Sequence, residues 1–202
     1  MRLILVRHGD CEWNREVRIL GRADIPLSEL GQRQAYAVAK ALQRERVRAV
    51  YSSPLKRAMA TGRMISENQG CPLIPDPDLQ ELGRGELEGM LRDEALRAYP
   101  DLRRTWPEVP EESGLHGQES LKQLELRVRV CLDRIRANHP TETVVLVGHY
   151  FVNLMVLVAV LGMNPRCFVS FGQDIAGISI VEINADRSSI RVWNDTCHLR
   201  RG

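Results

Sequence analysis

Two unbroken apolar runs, Leu3–Val6 and Val144–Val147, limit this chain's folding options more than any other feature. A run that lacks period-two alternation is what a strand covered on both faces requires, and such strands belong to sheets with helices above and below. Val47 to Tyr51 reads as a third strand, and Ile178 to Ile183 and Ile190 to Trp193 as two more with a turn near Asp186. Helical patterns alternate with them. Ser28 is placed to cap a helix over residues 29–45 that carries Ala35, Val38 and Leu42. Ser53-Pro54 reads as an N-cap followed by proline in the first turn of a helix running to about Glu67. Leu121, Leu124, Val128, Cys131 or Leu132, and Ile135 form the stripe of a long helix ending near His139-Pro140, and Phe151 to Leu161 is a mostly apolar helix. The expected fold is α/β, a three-layer sandwich with a mostly parallel central sheet flanked by helices. One domain is expected over residues 1–202. A stretch rich in Pro, Glu and Arg, about 84–117, is expected to be a small insertion capping the active site.

Composition removes several function classes. The formal net charge of +2 supplies no basic field, so no nucleic-acid partner is expected. Five cysteines stand apart with no C-x-x-C pair, which fits neither a disulfide framework nor a zinc site. Phe151 to Gly162 is the most apolar stretch and falls short of the roughly 20 residues a membrane span needs. The first residues are too short and too charged for a signal peptide, so no membrane and a cytoplasmic location are expected. Oligomeric state is open, with a homodimer as one option.

The chemistry-bearing residues gather after the strands. Arg7-His8-Gly9 follows the first, Ser52-Ser53-Pro54-Leu55-Lys56-Arg57 the second, and Gly148-His149 the Val144–Val147 run. In an open α/β sheet the carboxyl ends of the strands form the ligand crevice, so two histidines and two arginines could meet there. Such a set suits phosphoryl transfer. Arginine offers a phosphate bidentate, charge-assisted hydrogen bonds, an imidazole can attack phosphorus, and a carboxylic acid can protonate the leaving oxygen. Glu81, on the loop after Leu73-Ile74, is the best placed acid. Taken singly, each residue has an ordinary reading: a solvated arginine, a hydrogen-bonded core histidine, a loop carboxylate. The combination points to one site. His116, His139 and His198 read as structural or exposed, and Trp13, Trp106 and Trp193 as packing residues, with Trp106 inside the expected insertion.

At these residues the sequence resembles the histidine phosphatase superfamily, the phosphoglycerate-mutase-like group. Arg7-His8-Gly9-Asp10-Cys11-Glu12-Trp13-Asn14 is similar to the family's opening Arg-His-Gly-x-Thr-x-x-Asn. Gly21-Arg22-Ala23-Asp24-Ile25-Pro26-Leu27-Ser28, Ser52 to Ala58 with Thr61, Glu81 with Gly85-Glu86-Leu87-Glu88-Gly89, Glu119-Ser120 and Gly148-His149 come in the family's order. The resemblance implies a phosphatase acting on a small phosphomonoester, with His8 as nucleophile and a phosphohistidine intermediate. It implies Glu81 as general acid, and Arg7, His8, Asn14, Arg57 and His149 as the phosphate pocket. Gly21 and Tyr150 are expected to touch substrate. No metal or organic cofactor takes part in the family's chemistry, and none is expected here.

Three positions depart from the pattern. Cys11 replaces a usual Thr or Ser, Gly148 stands where Ser is frequent and should be tolerated, and Tyr150-Phe151 puts bulk where a small residue is usual. Cys11 reads first as a small buried residue standing in for Thr; the alternative is a thiol whose pKa the fixed arginines lower and which oxidises readily. The competing readings are mutase-type phosphoryl transfer, for which Arg103-Arg104 could hold a carboxylate, and a non-catalytic phospho-ligand binding protein.

Overall fold

The computed structural model describes residues 1–100, 117–184 and 186–201. Six strands form one sheet: β1 (Arg2–Arg7), β2 (Val47–Ser52), β3 (Leu73–Pro75), β4 (Thr143–Gly148), β5 (Ile178–Ile183) and β6 (Ser188–Asp195), in the order β3-β2-β4-β1-β5-β6. β3, β2, β4 and β1 pair in parallel, while β5 joins β1 and β6 joins β5 antiparallel. The main helices are α1 (Glu12–Arg15), α2 (Glu29–Ala41), α3 (Lys56–Gln69), α4 (Arg92–Ala98), α5 (Leu121–Asn138) and α6 (Tyr150–Val160).

The absence of alternation in the apolar runs has its explanation in the layers. Leu3, Leu5, Val144 and Leu146 pack toward α5 and α6, whereas Ile4, Val6, Val145 and Val147 pack toward α2 and α3. All eight are fully buried. At about 1.5–3 kcal/mol for each such side chain, burial on both faces is what holds the parallel pairs in register. The stripe read on α5 is also buried at every position: Leu121, Leu124, Val128, Cys131, Leu132 and Ile135.

Two helix boundaries differ from expectation. α2 ends at Ala41 rather than 45, with buried Leu42 as its C-cap. α3 begins at Lys56 after Leu55, not at Ser53-Pro54. The Ser53 amide donates to the Val147 carbonyl at 3.0 Å and its Oγ accepts from the Leu55 amide at 3.3 Å, so residues 53–55 make a turn out of the strand and Leu55, whose carbonyl accepts from Ala58 and Met59, takes the N-cap position. Expected structural histidines are tied as such, His139 to Tyr51 and Glu142, and His198 to the Ala176 carbonyl. Trp193 packs edge-on against Phe171.

Part of the 84–117 stretch lies in the described residues. There α4 packs over Ile19 and Leu87 in a small separate cluster, with Arg18 and Leu91 forming an isolated bridge. Arg103, Arg104, Trp106 and His116 lie outside the described residues. Among the described residues, no helix is long and apolar enough to cross a membrane.

Candidate active site

Register brings the site together. Arg7 on β1 is level with Gly148 on β4, and Ser52 on β2 with Val147, so His8, Ser53 and His149 all leave the sheet at one edge. The His8 amide continues the ladder by donating to the Gly148 carbonyl at 3.1 Å. The chain can turn so tightly after His8 because Gly9 and Gly31 meet backbone to backbone. A Cβ on Gly9 would lie 2.4 Å from the Gly31 carbonyl oxygen, and one on Gly31 1.9 Å from that of Asp10.

The imidazoles of His8 and His149 stand 5.0 Å apart between centroids, and both are buried. His8 Nδ1 is 2.7 Å from the Gly9 carbonyl. A carbonyl only accepts, so Nδ1 carries the proton and Nε2 of the neutral ring keeps its lone pair. Burial, then the charges of Arg57 and Arg7, hold His8 well below the usual 6.5 despite the bond to Gly9. Burial and Arg57 do the same to His149, whose Nε2 lies 2.8 Å from Ser53 Oγ.

Each arginine is aimed by backbone oxygen. Arg7 donates to the Gln173 carbonyl at 2.6 Å, and its guanidinium lies 5.2 Å from the Tyr150 ring centroid. Arg57, fully buried, donates to the carbonyls of Ala23 at 2.6 Å and Gly21 at 2.8 Å. Burial pushes both guanidinium groups down, and Glu81 opposes it. Among the described residues, Arg7 Nε, Arg57 Nε and His149 Nδ1 are buried without a hydrogen-bond partner. Orphaned buried donors are costly, and an oxyanion is a ligand that could satisfy them.

Glu81 sits against the first turn of α6. Its Oε1 accepts from the amides of Leu82 at 2.9 Å, Phe151 at 3.2 Å and Val152 at 3.4 Å, while Oε2 accepts only from Phe151 at 3.3 Å. Arg84 lies over the Phe151 ring at 4.6 Å and donates to Gln118, and burial pushes its guanidinium down to about 10.

Other expected residues fall in place less directly. Asn14 Oδ1 accepts from the Cys11 amide at 3.1 Å and thiol at 2.9 Å, leaving its NH₂ as the group that could donate to a ligand. Gly21 contributes a carbonyl to Arg57, and its φ of +50° and the proximity of Glu88 exclude a side chain. Of the two readings of Cys11, packing holds and the lowered pKa is corrected. Burial raises its pKa and outweighs the arginines, so this fully buried thiol stays protonated and donates to Asn14. Glycine at 148 fits, since the Asn153 side chain takes the space a serine would fill: a Cβ there would lie 2.3 Å from Asn153 Oδ1. Asn153 donates to the Val6 carbonyl and to Gln173, the residue that holds Arg7. Sequence reasoning misses Ser53, Asn153 and Gln173 as site residues; an Asn inside an apolar helix is the one available signal. Among the described residues, no group of three or more His, Cys, Asp or Glu is arranged to hold a metal ion.

The chain is similar to several known proteins. Residues 3–196 match the model of the histidine phosphatase superfamily, branch 1. Phosphoserine phosphatase 1 of Hydrogenobacter thermophilus is 38% identical, covering 98% of this chain and 94% of that protein. The metal-independent phosphoserine phosphatase of Arabidopsis thaliana is 33% identical over 98% of this chain and 82% of its own length. Among solved structures, a mycobacterial glucosyl-3-phosphoglycerate phosphatase complexed with VO3 superimposes with a TM-score of 0.89 at 28% identity, over 96% of this chain and 99% of that one.

Proposed function

Because the chain belongs to the histidine phosphatase superfamily, we propose that it is a phosphatase that hydrolyses a small phosphorylated metabolite through a phosphohistidine on His8. The observation that carries this reading is the buried pair of imidazoles flanked by Arg7 and Arg57, with His8 Nδ1 committed to the Gly9 carbonyl and Nε2 left as the nucleophilic atom. In the first step Nε2 bonds to phosphorus as the ester P–O bond breaks, and Glu81 gives its proton to the leaving oxygen. We place that proton on Oε2, which accepts fewer amide bonds than Oε1. In the second step Glu81 takes a proton from water, the water oxygen bonds to phosphorus, and the P–N bond breaks to release orthophosphate. Arg7, Arg57, His149 and Asn14 hold the phosphoryl oxygens. Tyr150, beside Arg7, borders the space for the rest of the substrate.

The relatives named as phosphoserine phosphatases make L-phosphoserine the first compound to try. The purified protein in EDTA should release orthophosphate from at least one member of a panel of small phosphomonoesters. Formation of an isomeric phosphoester without free phosphate, or turnover that appears only on adding Mg²⁺, would overturn the proposal.

A further inference from the structure

We infer that Arg127 is a positioning residue for Glu81: with Glu119 and Arg22 it forms a clamp that fixes the backbone of the acid-bearing loop. This rests on the reading of Glu81 as the general acid.

The loop from Asp78 to Gly83 lies beyond β3 and has no strand to pair with, so its carbonyls need other donors. Arg127, on the second turn of α5, supplies them. Its guanidinium donates to the carbonyls of Asp78 at 2.6 Å, Gln80 at 2.7 Å and Glu81 at 3.3 Å. It also forms a bidentate pair with Glu119, at 2.6 Å and 2.8 Å. The carboxylate of Glu119 in turn accepts from the Gly83 amide at 3.2 Å and meets Arg22 at 3.1 Å, and Arg22 Nε reaches the Glu81 carbonyl at 3.3 Å. The clamp is shielded, since the side chains of Arg127 and Glu119 are only 13% and 9% exposed. Burial alone would push Glu119 up, but Arg127 and Arg22 bring it below its ordinary value, so it is ionised as the clamp requires.

The loop is thus held at both ends of one residue. The Glu81 carboxylate is fixed by the amides of α6, and its peptide group by Arg127 and Arg22. A proton donor displaced by about 1 Å can lose on the order of 10²-fold in rate. Lysine cannot replace the arginine, having a single charged head where five fixed N–H donors are used.

The test compares phenyl phosphate with p-nitrophenyl phosphate, two aryl esters that differ in how much proton assistance the leaving oxygen needs. Arg127→Met should lower kcat about 10–100-fold on phenyl phosphate and less than about 3-fold on the nitrophenyl ester, and Arg127→Lys should behave alike. The double variant Arg127→Met/Glu81→Gln should be no slower than Glu81→Gln, because the arginine acts through the acid. Equal losses on both esters, or losses that multiply in the double variant, overturn the clamp while leaving Glu81 as the acid. Glu81→Gln with no leaving-group dependence removes the acid reading and the clamp with it. Should Arg127→Met not fold, Glu119→Gln tests the same point. It keeps the three carbonyl bonds and must show the same selectivity at smaller size.

Discussion

The floor of the site and its acid-bearing loop are built by different means. On the floor, Arg7, His8 and Ser53 are fixed by ladder hydrogen bonds at the ends of β1 and β2, His149 is the N-cap of α6 at the end of β4, and Arg57 stands in the first turn of α3. Glu81 belongs to an irregular segment with no such ladder, and side chains from α5 and from residues 119 and 22 hold it. The difference matches the tasks we assign. Every phosphomonoester presents the same tetrahedral group, which suits a rigid floor. Leaving groups vary, and the residue serving them sits where neighbouring sequence can change without disturbing the sheet.

The comparison can be broken by substituting on the floor. Arg57→Met removes charge-assisted bonds worth about 1.5–3 kcal/mol each and should cost on the order of 10²–10³-fold in kcat/KM. Because the phosphoryl group is common to all substrates, phenyl and nitrophenyl phosphates should lose equally, unlike the acid-loop variants. A loss confined to the poorer leaving group would erase the distinction between the two regions.

A smaller effect concerns pH. Burial and then Arg57 hold both His8 and His149 well below 6.5, so each is neutral in the folded protein where an unfolded imidazole would already be protonating. The acid limb of kcat/KM on p-nitrophenyl phosphate, which reports the free enzyme, should therefore lie below pH 6.5. An inflection at 6.5 or higher would indicate solvated imidazoles and a looser floor. Stability carries the same sign. With folded values depressed, the unfolded chain binds more protons below 6.5, so this contribution is complete above that pH. It is lost as pH falls toward the folded values, and the urea midpoint of the ligand-free protein should drop between pH 7 and 5.

The floor is far more legible in the sequence than the loop's supports. Apolar runs such as Leu3–Val6 declare buried strands, and the residues just beyond such runs must lie at the sheet's edge. Ser53 misleads by two residues: its Oγ does accept from the Leu55 amide, but within a turn, and the helix itself starts after Leu55. The lowered pKa considered for Cys11 is wrong in sign, because the motif shows the nearby arginines but not how far burial outweighs them. Arg127 leaves no signal at all. Its partners on the loop are mostly backbone carbonyls, one of them 49 residues away, and nothing in a sequence marks which carbonyls lack a ladder.

The most direct test of His8 as nucleophile is to look for the phosphoenzyme. Wild type mixed briefly with a radiolabelled phosphomonoester that it hydrolyses should retain protein-bound label that is labile to acid and stable to alkali, the behaviour of a P–N bond. His8→Ala should retain none and should turn over no substrate. Label that survives acid, or label and near-normal turnover in His8→Ala, would contradict the assignment.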